Sequence, residues 1–490
     1  MVLSRWTRFI VHYNRHPLRC LIADKSHVRA LSSCLAPSTE LKRESVPTFQ
    51  LPLRNCCGCG AQFHTSDHSK PGYLPEHIVE AKRCHAETLI KDGIDENTAI
   101  SEASHSLICM RCHQLTYNGL PQGQMQDIVA DDFRTALKNQ ILGDSLRSSV
   151  VMKLIDVTDF QASVFPGLTE IIGGSNPVIL IANKFDLLPK GASLMRVREW
   201  VRSQARDMHI SARSVHVISS RTGQGVPALI NDAQELAERT NRDIYVLGSC
   251  NVGKSTFINH LLQKGMIKGV NRGVRKSRVR IKDDVKEISE KIPVTTSNIA
   301  GTTLGIIPFT VRGPASKSAV KLFDTPGVYA DLPLLRRLTS DERDLIAIKK
   351  PIVPVSYRIK QGQSLLLAGL ARIDHVDGPP FLFTAYISPN VKLHVTQTAK
   401  ATDLMKNRLD ILGIPSDPSR ALSLVIFQDI RIMGDGWLRS SHDIFFDGLG
   451  WVSFTGCSSI SVRVLSMGCT GIRPSLMPFD ARFATKRFTG

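Results

Sequence analysis

Eight consecutive residues, Gly248-Ser249-Cys250-Asn251-Val252-Gly253-Lys254-Ser255, fit the pattern G-x4-G-K-S/T. Glycines let backbone amides close on phosphate oxygens, a lysine neutralises them, and a hydroxyl completes the shell of a divalent cation. Lys254 would reach the β and γ phosphates and Ser255 would ligate Mg2+, with Gly248, Ser249, Asn251, Val252, Gly253 and Thr256 lining the same nucleotide. A phosphate loop does not name the base, but Asn183-Lys184-Phe185-Asp186 does. In N-K-x-D the carboxylate accepts hydrogen bonds from guanine N1 and N2, a pair of donors that adenine lacks. Ser219-Ser220-Arg221-Thr222-Gly223 stands where a second base loop should direct a backbone N–H at guanine O6. Asp324-Thr325-Pro326-Gly327 would hold Mg2+ through water at Asp324 and sense the γ-phosphate at the Gly327 amide. Gly301-Thr302-Thr303 offers Thr303 as the switch ligand to Mg2+. The expected ligands are GTP and GDP with Mg2+.

Phosphoryl transfer to water needs positioning and charge neutralisation more than covalent chemistry. Asn251, Lys254, Thr303 and Gly327 are the expected catalytic group. Many GTPases carry a glutamine after D-x-x-G to orient the attacking water, and this chain has Val328 there. Asn251 matches the asparagine that potassium-dependent GTPases use to help hold a monovalent cation, so K+ is expected to supply positive charge during a slow hydrolysis.

Each motif follows a strand-like run. Pro177 to Ala182 leads into Asn183, Val215 to Ile218 into Ser219, Ile244 to Leu247 into Gly248, and Ala319 to Phe323 into Asp324. A helical pattern follows the phosphate loop from Thr256 to Leu262. Strand, glycine loop and helix N-terminus are the context a phosphate loop requires. The order is unusual: base-reader, second base loop, phosphate loop, switch threonine, D-x-x-G. The expected fold is α/β, a circularly permuted P-loop GTPase domain over 125–345, because moved chain ends leave the sheet intact where natural ends lie close together. In that arrangement the nucleotide-sensing segments feed directly into whatever follows residue 330.

Ahead of this lie two cysteine pairs, Cys56-Cys57-Gly58-Cys59 and Cys109-Met110-Arg111-Cys112. Each C-x2-C turn has the bite to place two thiolates on one tetrahedral ion. Cys56, Cys59, Cys109 and Cys112 are the expected Zn2+ ligands of a closed, structural site spanning 50–120, with Cys57, Cys84, His85 and His113 nearby. Pro71-Gly72-Tyr73-Leu74-Pro75 between the pairs reads as a rigid turn. A redox dithiol would need only one pair and a thioredoxin-like setting that is missing.

The bulk properties narrow the function classes. Of 490 residues, 42% are hydrophobic and 22% charged, an ordinary globular balance. No apolar run approaches the ~18–20 residues needed to cross a bilayer. The net charge of +18 attracts polyanions such as RNA. The first 37 residues carry Arg5, Arg8, Arg15, Arg19, Lys25 and Arg29 against Asp24. That composition suits an organellar transit peptide over 1–45, mitochondrial (matrix) first and plastid second. Eleven cysteines, an odd number, fit metal binding better than a secreted disulfide framework.

The C-terminal part, 350–490, reads as an α+β domain. Leu365 to Ile373, Phe381 to Ile387 and Ala421 to Phe427 are strand-like, Thr402 to Leu412 has helical spacing, and Ile460, Val462 and Val464 alternate with polar residues. These stripes are core, and no catalytic constellation stands out among them.

Taken together, C-x-G-C-G and C-x-R-C, the G-Y-x-P turn, Leu154-Ile155-Asp156-Val157-Thr158-Asp159-Phe160, the permuted motifs, Gly369 to Asp374 and Asp447-Gly448-Leu449-Gly450-Trp451 resemble the YqeH-type circularly permuted GTPases. That family has eukaryotic organellar members, among them nitric-oxide-associated proteins. The resemblance implies slow GTP hydrolysis, a C-terminal RNA- or protein-binding domain, and a part in small ribosomal subunit assembly with rRNA as partner. Two departures are visible: Ala300 where the family often has proline, and a basic stretch, 264–282, that lengthens the first switch and is expected to contact RNA. The competing expectation is a nucleotide-regulated RNA or protein scaffold with negligible turnover. Nitric oxide synthesis is not expected, since no haem or flavin fingerprint is present.

Overall fold

The computed structural model describes residues 55–56, 59–68, 70–93, 95–96, 99, 107–110, 112–113, 149–164, 172, 176–269, 306–311, 320–325, 327, 332–417, 424–479 and 486–489. Thr303, Val328, the leader and most of the basic stretch 264–282 fall outside them. Residues 51–490 form one compact unit.

Its centre is a seven-stranded sheet in the order β3-β2-β1-β4-β7-β6-β5, where β1 is Val150–Asp156, β2 Val178–Asn183, β3 Ser214–Val217, β4 Ile244–Gly248, β5 Ile267–Gly269, β6 Ile307–Val311 and β7 Lys321–Asp324. The five strands from β3 to β7 are mutually parallel, and β6 and β5 run antiparallel at one edge. Parallel strands are buried on both faces, and every residue of β1, β2 and β4 is accordingly buried, the sequences being apolar apart from Lys153 within β1 and Asp156 and Asn183 at the ends of β1 and β2. Helices Val226–Thr240 and Lys254–Gln263 cover one face over Met152, Leu154, Ile181 and Val246. Helix Leu194–Asp207 covers the other over Ile155, Leu180 and Val215.

Register carries the motifs to one edge. Asp156 pairs beside Asn183, Leu154 beside Gly248, and Val246 beside Asp324. The loops after β1, β2, β4 and β7 therefore emerge side by side at the strands' C-terminal ends, where open α/β sheets bind ligands.

The C-terminal part is more strongly β than expected. A five-stranded sheet, β12-β9-β10-β16-β13, faces a six-stranded one, β17-β14-β15-β11-β8-β18. These strands are β8 Val355–Ile359, β9 Gln363–Leu367, β10 Ala371–Asp377, β11 Phe381–Ile387, β12 Leu393–Gln397, β13 Val425–Met433, β14 Gly436–Phe446, β15 Gly450–Gly456, β16 Ser459–Ser466, β17 Thr470–Pro474 and β18 Lys486–Thr489. Inward residues from both sheets, including Leu367, Ile373, Phe383, Phe454 and Val462, make one core. The β16 alternation is as expected. The run from Leu365 to Ile373, expected as a single strand, is a hairpin, because Ala368 takes a left-handed φ of 49° and turns the chain. The helical pattern ending at Leu412 is broken into Thr398–Asn407 and Leu409–Leu412 by Arg408, whose φ of −132° is not helical. Val425, expected in a buried strand, is 63% exposed.

Candidate nucleotide and metal sites

The phosphate loop leaves β4 at Gly248 and re-enters a helix at Lys254. Two residues are left-handed on the way, Asn251 with φ 65° and Gly253 with φ 94°. At Gly253 a side chain has no room, since a Cβ would lie 2.5 Å from Asn183 Nδ2. The buried Lys254 ammonium folds back over the loop and donates to the carbonyls of Gly248 and Ser249, at 3.0 and 3.1 Å. Burial pulls Lys254 below the usual lysine range, while Asp324 pushes it up. The loop is moored to the short helix Phe160–Ser163 that follows β1 as well, through Ser249 Oγ donating to the Ser163 carbonyl at 2.9 Å.

Gly327 lies against this loop. A Cβ there would sit 2.9 Å from Cys250 Sγ and 3.1 Å from Lys254 Nζ, and the Cys250 thiol donates to the Gly327 carbonyl at 3.5 Å. Asp324 is fully buried at the end of β7, and Thr325 fixes the turn by donating from Oγ1 to the Val246 carbonyl at 2.8 Å. Asp324 and Gly327 thus converge on Lys254.

Asn183 joins the base-reading and phosphate segments. Its Nδ2 donates to the Val252 carbonyl at 2.8 Å, and its Oδ1 accepts from the N–H and hydroxyl of Ser220, both at 2.9 Å. The Ser220 amide, one of the backbone donors of the expected second base loop, is therefore engaged with Asn183. Lys184 adopts φ 67°, and this turn leads into the short 3-10 helix Phe185–Leu187 that carries Asp186. Asp186 Oδ1 accepts from Ser219 Oγ at 2.7 Å and Oδ2 pairs with Arg221 Nε at 3.0 Å. A carboxylate has about four acceptor positions, so this pre-aimed group retains capacity for the two guanine donors.

The described residues of the phosphate and base segments fit a guanine nucleotide with Mg2+: backbone room at Gly253 and Gly327, a buried lysine, and an aspartate fixed by flanking donors. When bound, Mg2+ would screen phosphate charge from Ser255 and Asp324. Lys254 and the loop amides would orient the phosphates, and Asp186 would hold the base.

In the cysteine module, Cys56, Cys59, Cys109 and Cys112 are buried with their Sγ atoms all within 4.8 Å of one another. Cys56 and Cys112 Sγ are 3.7 Å apart and Cys59 and Cys109 Sγ 3.8 Å. Four thiolates on a tetrahedral Zn2+ at ~2.3 Å are about 3.8 Å apart, so the cage fits that ion. Hydrogen bonds to Cys109 push Cys59 and Cys112 up, while the bond to Cys112 pulls Cys109 down. The turn between the pairs explains how distant knuckles meet. Gly72, at φ 96°, places its backbone against Gln62, the Leu74 N–H donates to the His64 carbonyl, and the Met110 N–H donates to the Tyr73 carbonyl at 2.9 Å. Cys84 is exposed on helix Glu76–Lys91, away from the cage.

Several contacts were not anticipated from the sequence. Lys153, a lysine buried in the central strand β1, is pushed well below the usual range by burial and then by Lys254. Arg221 clamps Asp186, Cys250 touches Gly327, and Asp156 Oδ2 pairs with Lys184 Nζ at 2.6 Å. The Asp156 position falls in the Leu154–Phe160 segment already singled out, and an acid ending an otherwise largely apolar strand was the available signal.

Residues 243–361 match the family model described as "50S ribosome-binding GTPase". Over longer stretches the chain is similar to the Bacillus subtilis protein called "Uncharacterized protein YqeH", 29% identical over 81% of this chain and 92% of that one. It is similar to Arabidopsis thaliana "NO-associated protein 1, chloroplastic/mitochondrial", 29% identical over 81% and 69% of the two chains. Mouse "Nitric oxide-associated protein 1" is 23% identical over 90% and 78%. Among the described residues, no helix is long and apolar enough to cross a membrane. A P-loop GTPase domain sits at the core of a similarity that extends far to either side of it: over most of its length the chain is similar to the YqeH-type GTPases.

Proposed function

We propose that the chain is a circularly permuted, organellar GTPase that hydrolyses GTP slowly and assists ribosome assembly, with nucleotide state gating its hold on RNA. The observation that carries the nucleotide reading is Asn183, which binds the phosphate loop with one end of its amide and the Ser220 loop with the other. Three segments distant in sequence thereby share one edge. Permutation is supported by the chain order of the sheet, since the base-reading β2 and β3 precede β4 and its phosphate loop. The domain reading is a transit segment at 1–45, a zinc module at 50–120, the GTPase domain at 125–345 and an RNA- or protein-binding domain at 350–490.

Catalysis in this reading is a matter of placement. Lys254, Gly327 and Thr303 hold the γ-phosphate and Mg2+ shell, and Asn251, exposed and left-handed, helps hold K+ beside the phosphates. Organellar location is supported by the composition of the leader and by the names of plant relatives, one of them "chloroplastic/mitochondrial". The net charge of +18 supports an RNA partner.

The test is crosslinking in isolated organelles followed by RNA sequencing, with and without a non-hydrolysable GTP analogue. Small-subunit rRNA recovered in a nucleotide-dependent way is the expected result. Recovery of large-subunit rRNA alone would move the assignment to the other subunit, and recovery of neither would sink the assembly reading. Turnover in K+ against Na+ separates the slow GTPase from a scaffold with negligible hydrolysis, and equal rates in the two salts would remove K+ from the mechanism.

A further inference from the structure

The base-reading turn is built into the seam between the parallel sheet and the C-terminal sandwich. The Leu187 carbonyl, one residue past Asp186, accepts from the Ile352 N–H at 2.9 Å. Phe185 packs on a cluster that joins Phe160 and Val217 of the parallel domain to Ile352, Trp451 and Leu476. Lys184 Nζ donates to Asp156 Oδ2 at 2.6 Å, and Asp156 Oδ1 accepts from the Thr158 N–H and hydroxyl at 2.9 and 2.7 Å. Directly after Thr158, Asp159 Oδ2 accepts from the Gly448 N–H at 3.1 Å, in the loop between β14 and β15. One short turn therefore holds the lysine of N-K-x-D at one end and the sandwich at the other.

A second set of contacts pins the same seam. Arg473 of β17 is buried, donates to Gln161, and stacks its guanidinium over the rings of Trp200 and Trp451 at 4.9 and 5.4 Å. Trp200 Nε1 donates to the Pro474 carbonyl at 2.9 Å. These contacts gather at the base end. Lys254, at the phosphate end, is held by its own loop carbonyls.

From this geometry we infer that Asp156 and Asp159 are positioning residues for the guanine nucleotide, tying the base-reading turn to the docked sandwich. A partner that loosens the sandwich would then weaken nucleotide binding from the base end while leaving the phosphate chemistry in place. The inference rests on the proposed GTP reading.

The test uses the full chain, with release of fluorescent GDP and steady-state GTP hydrolysis as readouts. Asp159→Ala removes the acceptor for Gly448, Asp159→Asn retains an acceptor oxygen, and Asp156→Asn removes the charge facing Lys184. Asp159→Ala and Asp156→Asn should each release GDP roughly tenfold faster and raise KM for GTP by a similar factor, the scale of one strong hydrogen bond. Their kcat should stay within about twofold of wild type, because uniform binding is lost and the transition-state contacts are kept. Asp159→Asn should behave as wild type. Hydrogen exchange reads the relay from its other end, and Asp156→Asn should speed exchange at the Gly448 amide although Asp156 does not touch it. Unchanged GDP release and KM in Asp159→Ala, or a loss confined to kcat, overturns the inference. Should Asp159→Ala fail to fold, Asp156→Asn decides alone: unchanged KM or unchanged Gly448 exchange overturns it. A wild-type chain that binds no GDP refutes the GTP reading itself, which keeps the two failures apart.

Discussion

Around the four cysteines the buried apolar company is small, chiefly Phe63, Leu74 and Leu107. Beneath the nucleotide motifs lie two broad clusters on either face of a seven-stranded sheet. The two regions hold their ligands by different means. The cysteine cage has little core of its own, so an ion must act as part of that core. The nucleotide edge is shaped in advance by hydrogen bonds that close without any ligand, such as Asn183 to Val252 and Ser219 to Asp186. If the cage takes zinc, binding and folding in the first region would be one event, whereas in the second binding would follow folding.

The sharpest way to break that comparison is to remove the ion. Chelation, or Cys109→Ala, should cost the 55–113 region its fold, since structural zinc contributes about 10–16 kcal/mol in small modules. Metal analysis should find one Zn2+ per wild-type chain, and limited proteolysis should open the module while GDP affinity stays nearly constant. Loss of GDP binding on chelation would merge the two regions into one folding unit. Next in size is Asp186→Asn. It should weaken GTP binding by about 3 kcal/mol or more, as two charge-assisted bonds are lost, and raise affinity for XTP. Binding assays with both nucleotides check this, and unchanged GTP affinity would remove Asp186 as the base-reader.

Asn183→Ala comes third. It leaves the Val252 carbonyl and both Ser220 donors without their buried partner, an expected loss of about 1–3 kcal/mol in GDP binding, with the melting midpoint lowered as well. If the nucleotide edge were shaped only by its ligand, this substitution would leave the midpoint of the nucleotide-free protein where it was. The smallest effect concerns pH. Burial first, then Asp447, pushes Asp159 up to about 8, and burial pushes Asp447 up to about 6. Both acids are raised in the folded chain, so folding takes up protons, and the associated stability is full at low pH and lost as pH rises through those values. The melting midpoint should fall from about pH 4, where the unfolded acids ionise, to about pH 8, and level off above that, and Asp159→Asn should flatten the fall.

Residues that act through contiguous backbone were legible in the sequence. The phosphate loop and N-K-x-D write their geometry into neighbouring residue types, with glycine at the tight approach and an acid after a strand. The cysteine pairs were legible for the same reason. The seam was not. Arg473, Trp200, Gln161 and Asp159 meet across about three hundred residues, and no spacing rule links them. Arg221 escaped notice because an exposed arginine after a serine pair carries no local pattern, though its guanidinium clamps Asp186. The turn at Ala368 was hidden by its residue type, since alanine rarely marks a left-handed position. Alternation in β16 was readable because one face of that strand is partly open to solvent.

The bond from the Met110 N–H to the Tyr73 carbonyl has an entropic consequence. The first knuckle closes locally, with the Gly60 N–H donating to the Cys56 carbonyl and the Cys56 N–H to Ala61. The second pair lies fifty residues along, from Cys59 to Cys109, and the Tyr73 turn gives it a backbone partner beside the first. Metal capture would then close a ring across that stretch. Viewed as a cross-link, the ion closes a ring whose unfolded-state entropy is on the order of 4 kcal/mol. That quantity grows only with the logarithm of ring size, about 0.6 kcal/mol for each doubling. The segment carrying helix Glu76–Lys91 can accordingly lengthen or shorten with little penalty to the cage, provided the Tyr73 turn survives.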